Sequence, residues 1–173
     1  MTNALYLFLA FLSDVFINMF FTNGFVLNGP SANPNLFLIT LILITLKDDF
    51  KKSLFTAFVV GLILDLFSLD TTFVYASVYT LTIVIVRLWS TRINDTFIEL
   101  SLVTLSAIAV REVLLYIYNF LFNNIIFSIN TWANSHLFYT IILNIPLIII
   151  AVLIKINLSK KNIREKRKKR KYN

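Results

Sequence analysis

The sequence predicts an all-α integral membrane protein, a bundle of six transmembrane helices with both termini on the cytoplasmic side. Three observations predict it: an apolar surplus, apolar runs of near-membrane length, and basic residues confined to alternate connections. Hydrophobic residues make up 58% of the 173 and charged residues 14%, with a mean hydropathy of +0.78. A soluble globule is nearer half apolar and a quarter charged, so this surplus must face something other than water. Lipid is the solvent that fits.

A helix needs about 20 residues to cross a hydrocarbon core roughly 30 Å thick. Six runs qualify, approximately 4–22, 33–46, 50–69, 73–90, 96–127 and 132–156. The first has no basic segment ahead of it and no small-residue cleavage site behind it, so it reads as a retained span. The second is short and must begin near Pro30 or lie where the bilayer is thinned. Asn33 before Pro34 reads there as an N-cap followed by Pro at the first helical position. The third carries Ala57 and Gly61, a small-xxx-small pair that permits close helix approach. Asp95 reads as a cap for the fifth, which is long enough to tilt or to project from the membrane. Pro146 lies inside the sixth, where it removes one backbone bond and predicts a kink. Trp132, Tyr139, Trp89 and Tyr79 are candidate interface anchors, and most of the 17 Phe residues suit lipid-facing or packing surface.

The connections orient these runs. Segments 24–33, 69–72 and 123–132 contain no Lys or Arg, whereas the alternate ones hold Lys47, Lys51 and Lys52, then Arg87 and Arg92, then a basic tail. The positive-inside rule assigns the basic side to the cytoplasm. Five or seven runs would break the alternation.

The formal charge of +7 is a terminal feature. Nine of the sixteen basic residues are Lys160, Lys161, Arg164, Lys166, Arg167, Lys168, Lys169, Arg170 and Lys171. The chain therefore divides into a transmembrane domain, 1–158, and a basic cytoplasmic tail, 159–173. The tail suits an anionic membrane surface or a cytoplasmic partner, or simply fixes the C-terminus inside. A tag of this kind is no nucleic-acid groove. There is no Cys, and His136 is the one histidine, so thiolate and histidine metal sites lack ligands and no cofactor is expected.

Charges near the bilayer centre cost at least about 2.5–3.5 kcal/mol and call for an explanation. Asp14, Asp65, Arg111 and Glu112 are the four. Helical spacing puts Asp14 with Asn18, Gly61 with Asp65 and Ser68, and Ser101, Thr104, Glu112, Tyr116, Asn119 and Asn123 on one face of the fifth run. His136, Thr140 and Asn144 follow at four-residue steps in the sixth. These stripes predict a shared polar interior, with Arg111 as counter-ion for Asp65, Asp14 or Glu112. Such residues fasten a bundle, line a ligand or proton path, or dock another membrane protein. With three acids to one base, some acid is expected to be protonated or to meet an outside partner.

Several of these features together resemble the rod shape-determining protein MreD family. Asn33-Pro-Asn-Leu36 opens the second run, and a short Lys-containing turn follows it. Gly61-Leu-Ile-Leu-Asp65-Leu-Phe-Ser68 looks like the family's Gly-Leu-x-x-Asp segment. Asp14, Glu112, and Asn144 followed by Pro146 complete the likeness, which covers roughly residues 5–155. Two departures are Leu69-Asp-Thr-Thr72, where many relatives have a Gly, and the longer basic tail. The resemblance implies a multi-pass protein of the bacterial cytoplasmic membrane and a non-enzymatic scaffold of cell elongation and peptidoglycan synthesis, required for rod shape. Its implied partner is a bitopic MreC-like protein, with MreB, a RodA-type polymerase and a penicillin-binding transpeptidase further out. The bundle is also similar in outline to the substrate-binding subunits of energy-coupling-factor vitamin transporters, which supplies the alternative function. A membrane enzyme is not expected, because no nucleophile–base pair, metal cluster or phosphate loop is legible.

The predicted orientation is checked in intact cells. A reporter fused after Lys171 should be inaccessible from outside, and Lys51 should be protected from an impermeant amine reagent. Labelling of either sinks the orientation.

Overall fold

The computed structural model describes the backbone of residues 2–20, 31–67, 73–90, 96–122 and 128–171, and side chains from Ala4 as far as Ser159 within those stretches except that of Trp89. Among them there are helices and connections and no strand. The helices are α1 (Thr2–Asn18), α2 (Leu36–Thr45), α3 (Phe50–Phe67), α4 (Val74–Trp89), α5 (Phe97–Phe122), α6 (Ile129–Trp132) and α7 (Phe138–Lys171). A π-helical turn, Ala133–Leu137, joins α6 to α7 in one continuous rod. Expectations that fall on Pro30, Ser68, Arg92, Asp95 and Asn123, and on the tail side chains from Lys160 to Lys171, lie outside the described residues. Two rods are long and apolar enough to cross a membrane, Phe97–Phe122 and Ile129–Ser159; Ala4–Asn18, Leu36–Thr45 and Val74–Leu88 are shorter apolar helices.

The shortest of the main rods is the core. α2 packs on α1, α3, α5 and α7, and its Leu38, Ile39, Leu41, Ile42 and Leu43 are all buried. A helix apolar on every side belongs in such a position. The other rods bury one stripe each and leave large apolar side chains outside, Leu66 at 82% exposure and Leu88 at 76% among them. Tyr139 is exposed, as expected of an anchor, but Tyr79 and Trp132 are not: both are buried, Trp132 with its ring 4.6 Å from that of Tyr116. Aromatic size suited them to the core as well as to an interface, and spacing did not distinguish the two.

The start of the second helix also differs from expectation. α2 begins at Leu36, so Asn35 and not Asn33 is at the N-cap position, and its side chain makes no capping bond. Ser31–Asn35 ahead of it is in neither helix nor strand, with Asn35 at φ −131° and ψ 31°, and Pro34 disfavours helix at Asn33. At α5 the cap is a Thr96-x-x-Glu99 box: Thr96 Oγ1 accepts from the Glu99 amide at 3.4 Å and donates to Glu99 Oε2 at 2.7 Å.

α3 and α4 run against each other over the longest shared surface in the bundle. The small pair makes this possible. Ala57 is fully buried, and a Cβ placed on Gly61 would lie 2.4 Å from Ala76 Cα and 2.6 Å from Tyr75 O. Those are backbone atoms of α4, so no side chain can swing aside. In an open helix Gly→Ala is worth about 1 kcal/mol of stabilisation. Here Gly61→Ala should instead destabilise by about 1–3 kcal/mol, the usual cost of overpacking. Thermal unfolding in detergent checks it, and a variant as stable as the parent would separate α3 from α4.

Candidate functional site

Two carboxylates from one helix each close the start of the next. Asp14 on α1 accepts from the amides of Leu36 and Phe37, both at 2.8 Å, one bond to each oxygen. Asp65 on α3 does the same for Tyr75 and Ala76 of α4, both at 2.9 Å. The first amides of a helix have no partner within it, and the helix dipole adds positive potential there. A carboxylate satisfies both needs. Phe73, the residue before α4, has a left-handed φ of 62°, which is uncommon for a non-glycine residue.

The opposite end of α2 receives a cation. Arg87 in the last turn of α4 donates through Nη2 to the Thr45 carbonyl, to the Asp48 carbonyl at 2.5 Å and to Ser53 Oγ at 2.6 Å. Ser53 Oγ in turn donates to the Thr45 carbonyl at 3.0 Å. Arg87, read from sequence as a loop charge, is thus a half-buried clamp on carbonyls that end a helix.

The segment Ser31–Asn35 lies along the sixth rod. The Ser31 amide donates to the Ser135 carbonyl at 2.9 Å, and Ser31 Oγ meets His136 Nδ1 at 2.7 Å. Two residues on, the Asn33 amide donates to Thr140 Oγ1 at 3.2 Å, and its carbonyl accepts from Asn144 Nδ2 at 2.8 Å. Two further, the Asn35 amide donates to Asn144 Oδ1 at 2.8 Å. The match is metrical. Four residues of helix rise about 6 Å, and two residues of extended chain advance about 6.6 Å. The π-helical turn starts the series by aiming His136 inward.

Glu112 on α5 completes the joint. It is paired with Arg111, its neighbour in sequence, and lies 3.0 Å from His136 Nε2 through Oε2. Asn35 Nδ2 donates to the Asn33 carbonyl at 2.9 Å and more distantly to Glu112 Oε1 at 3.5 Å. With the carboxylate as acceptor a proton sits on Nε2, and the ring's other nitrogen, Nδ1, is the one that meets the Ser31 hydroxyl.

Ser31, His136 and Glu112 therefore form a serine–imidazole–carboxylate chain. The serine is on Nδ1, Glu112 is paired with Arg111, and all three residues are buried, with exposures of 2%, 2% and 1%. The groove lined by Leu36 and Lys155 and the groove lined by Phe97 and Ile148 do not touch these residues.

Of the residues singled out from sequence, Asp14, Arg111, Glu112 and Asn144 converge around the start of α2, while Gly61 and Asp65 form a separate joint at the start of α4. Arg111 takes Glu112, not Asp65, as its ion-pair partner. Asp14 and Asp65 each accept from two backbone amides, partners that a count of charges does not see. Asn18 is half-buried at the end of α1, and Pro146 is on the exposed side of α7, which continues through it. Ser31, Asn35 and Arg87 were missed. The signal for the first two was present: polar residues at 31, 33 and 35 alternate with the period of an extended chain.

No family model matches the chain, and no curated protein or solved structure matches it. Fold and joint together define an all-helical bundle with apolar outer surfaces, two helices long enough to cross a membrane, and a hydrogen-bonded polar centre.

Asn144→Leu keeps the volume and strands the buried Asn35 amide, a change that should cost about 1–3 kcal/mol. Denaturation in detergent measures it. A stability loss near zero would mean that the segment before α2 is not held this way.

Proposed function

We propose that this chain is a multi-pass protein of the bacterial cytoplasmic membrane, a six-span bundle with both ends inside. In this reading it is a non-enzymatic scaffold of the cell-elongation machinery, acting beside an MreC-like protein. One observation carries the reading: the residues behind the resemblance to MreD are the ones that join helices. Asp14 and Asp65 close the starts of other helices, Gly61 meets the α4 backbone, and Glu112 and Asn144 brace the segment before α2. A signature made of joints suits a protein whose contribution is a fixed outer shape for partners to bind.

The membrane reading has its own support. Polar groups inside and bare Leu, Ile and Phe outside invert the arrangement of a soluble globule, which rarely exposes large contiguous apolar patches. The short second helix ceases to be an obstacle. Ten helical residues cover only about 15 Å of a roughly 30 Å core, and the five non-helical residues ahead of them add to that span. Irregular backbone at that depth is tolerated when it is buried in protein, as Ser31 and Asn35 are. A vitamin-carrier reading would need convergent polar groups open to a ligand, whereas those present bond to one another.

The test is co-purification. The tagged chain, extracted from membranes in mild detergent, should bring down a co-expressed MreC-like protein, and its depletion should turn rods into spheres. Absence of a complex combined with tight vitamin binding overturns the scaffold in favour of the carrier.

A further inference from the structure

α1 and α7 both pack on α2, and between them runs an open groove of about 310 Å³. Its floor is Leu36, Thr40 and Leu43 of α2, and its far wall runs from Ile150 to Leu158 of α7, about 12 Å of helix. The lining is almost wholly apolar, and the one charged residue in it is Lys155. Ser13, the hydroxyl on the α1 side, is already bonded to the Leu9 carbonyl at 2.9 Å and offers no donor. The groove is therefore apolar along its length and cationic at one end. On the six-span reading, on which this inference rests, that end is at the cytoplasmic headgroup level, because α1 starts there and α7 leaves there.

We propose that the groove holds one acyl chain of an anionic phospholipid from the cytoplasmic leaflet, with its phosphate beside Lys155. A narrow run of almost wholly apolar lining, about 12 Å long, suits a hydrocarbon chain. Charge selects the headgroup: Lys155 lies at the mouth, and α7 continues beyond it into the segment that carries nine further basic residues between 160 and 171. A second groove, between α5 and α7 with Phe97, Ser101 and Ile148 in its lining, has no charged residue and hence nothing to distinguish one headgroup from another. A lipid seated beside α2 would fill the side of the core helix that the protein leaves uncovered.

The full chain is reconstituted in phosphatidylcholine vesicles containing a minor share of phosphatidylglycerol, re-extracted in mild detergent, and its retained lipid counted by native mass spectrometry. One phosphatidylglycerol per chain is expected, enriched about fivefold over its share of the vesicle, as one basic contact allows. Ala151→Phe, which fills the groove, should abolish retention. Lys155→Gln, a change that leaves the packing alone, should keep a lipid but lower the enrichment to the vesicle's own ratio. Replacing the nine basic residues of 160–171 by Gln should leave the retained lipid in place. Retention unchanged by Ala151→Phe, enrichment unchanged by Lys155→Gln, or loss with the altered tail overturns the site, as does disulfide bridging of two Ser13→Cys copies, which would put a second copy in the groove. A chain released from membranes by alkaline wash alone overturns the bundle reading; one that needs detergent but retains no lipid overturns the groove only.

Discussion

Five residues of non-helical backbone, Ser31–Asn35, impose the constraint around which the rest of the bundle is arranged. They lie against the central helix and the sixth rod, away from water, and backbone outside helix and sheet has no partners of its own. Each buried amide or carbonyl left unbonded would cost about 1–3 kcal/mol. The protein answers with side chains at four-residue steps on α7, so that Ser31, Asn33 and Asn35 are bonded in register by Ser135 and His136, by Thr140, and by Asn144. Because a helix and an extended chain advance by nearly equal distances over those intervals, one row of polar residues serves the whole segment.

The same constraint explains the charges. α2 is short, buried except along Leu36, Thr40 and Ile44, and without a side-chain cap of its own. Both of its ends would otherwise be unsatisfied dipole termini inside the bundle. A carboxylate from α1 at one end and a guanidinium from α4 at the other match the helix dipole in sign and supply the missing acceptors and donors. α3 and α4 repeat the first half of this device, with Asp65 placed as Asp14 is. Two ion-bearing helices thus each carry the cap of the helix that follows, so the closing of each helix start is coupled to the packing of its neighbour.

Much of this was legible in the sequence, and what was not has a common cause. Apolar runs gave the helices to within a few residues for α3 and α4, and helical spacing placed Ala57 and Gly61 at a close approach and His136, Thr140 and Asn144 on one buried face. The failures are all pairings across the bundle. Asn33-Pro34 signals a boundary, but nothing local reveals that the capping carboxylate arrives from residue 14, or that α2 starts two residues later. Arg87 looks like a surface charge until its distance to the Thr45 carbonyl is known. Tyr79 and Trp132 have interface chemistry but bury their rings. Periodicity reports which face a residue is on and is silent about what that face meets.

The arithmetic of charge shows why this matters for function. Three acids and one base, read as a list, suggest an unmet carboxylate waiting for a proton or a partner. Backbone donors change the sum: Asp14 and Asp65 each take two amides, and Glu112 takes Arg111 and His136. Arg111 and Glu112 are adjacent in a helix, where neighbours diverge by about 100°, so only a side chain as long as arginine can turn back to pair. The pair leaves the other carboxylate oxygen for His136, which in turn meets Ser31. Among the described residues the polar groups of this joint bond to other parts of the same chain, apart from the buried Arg111 Nε. On the proposed scaffold reading, recognition at the apolar flanks depends on helix placement, and helix placement depends on the joint. Substitutions at Asp14, Asn144 or Glu112 should thus act on binding through shape, without any of these residues touching a partner.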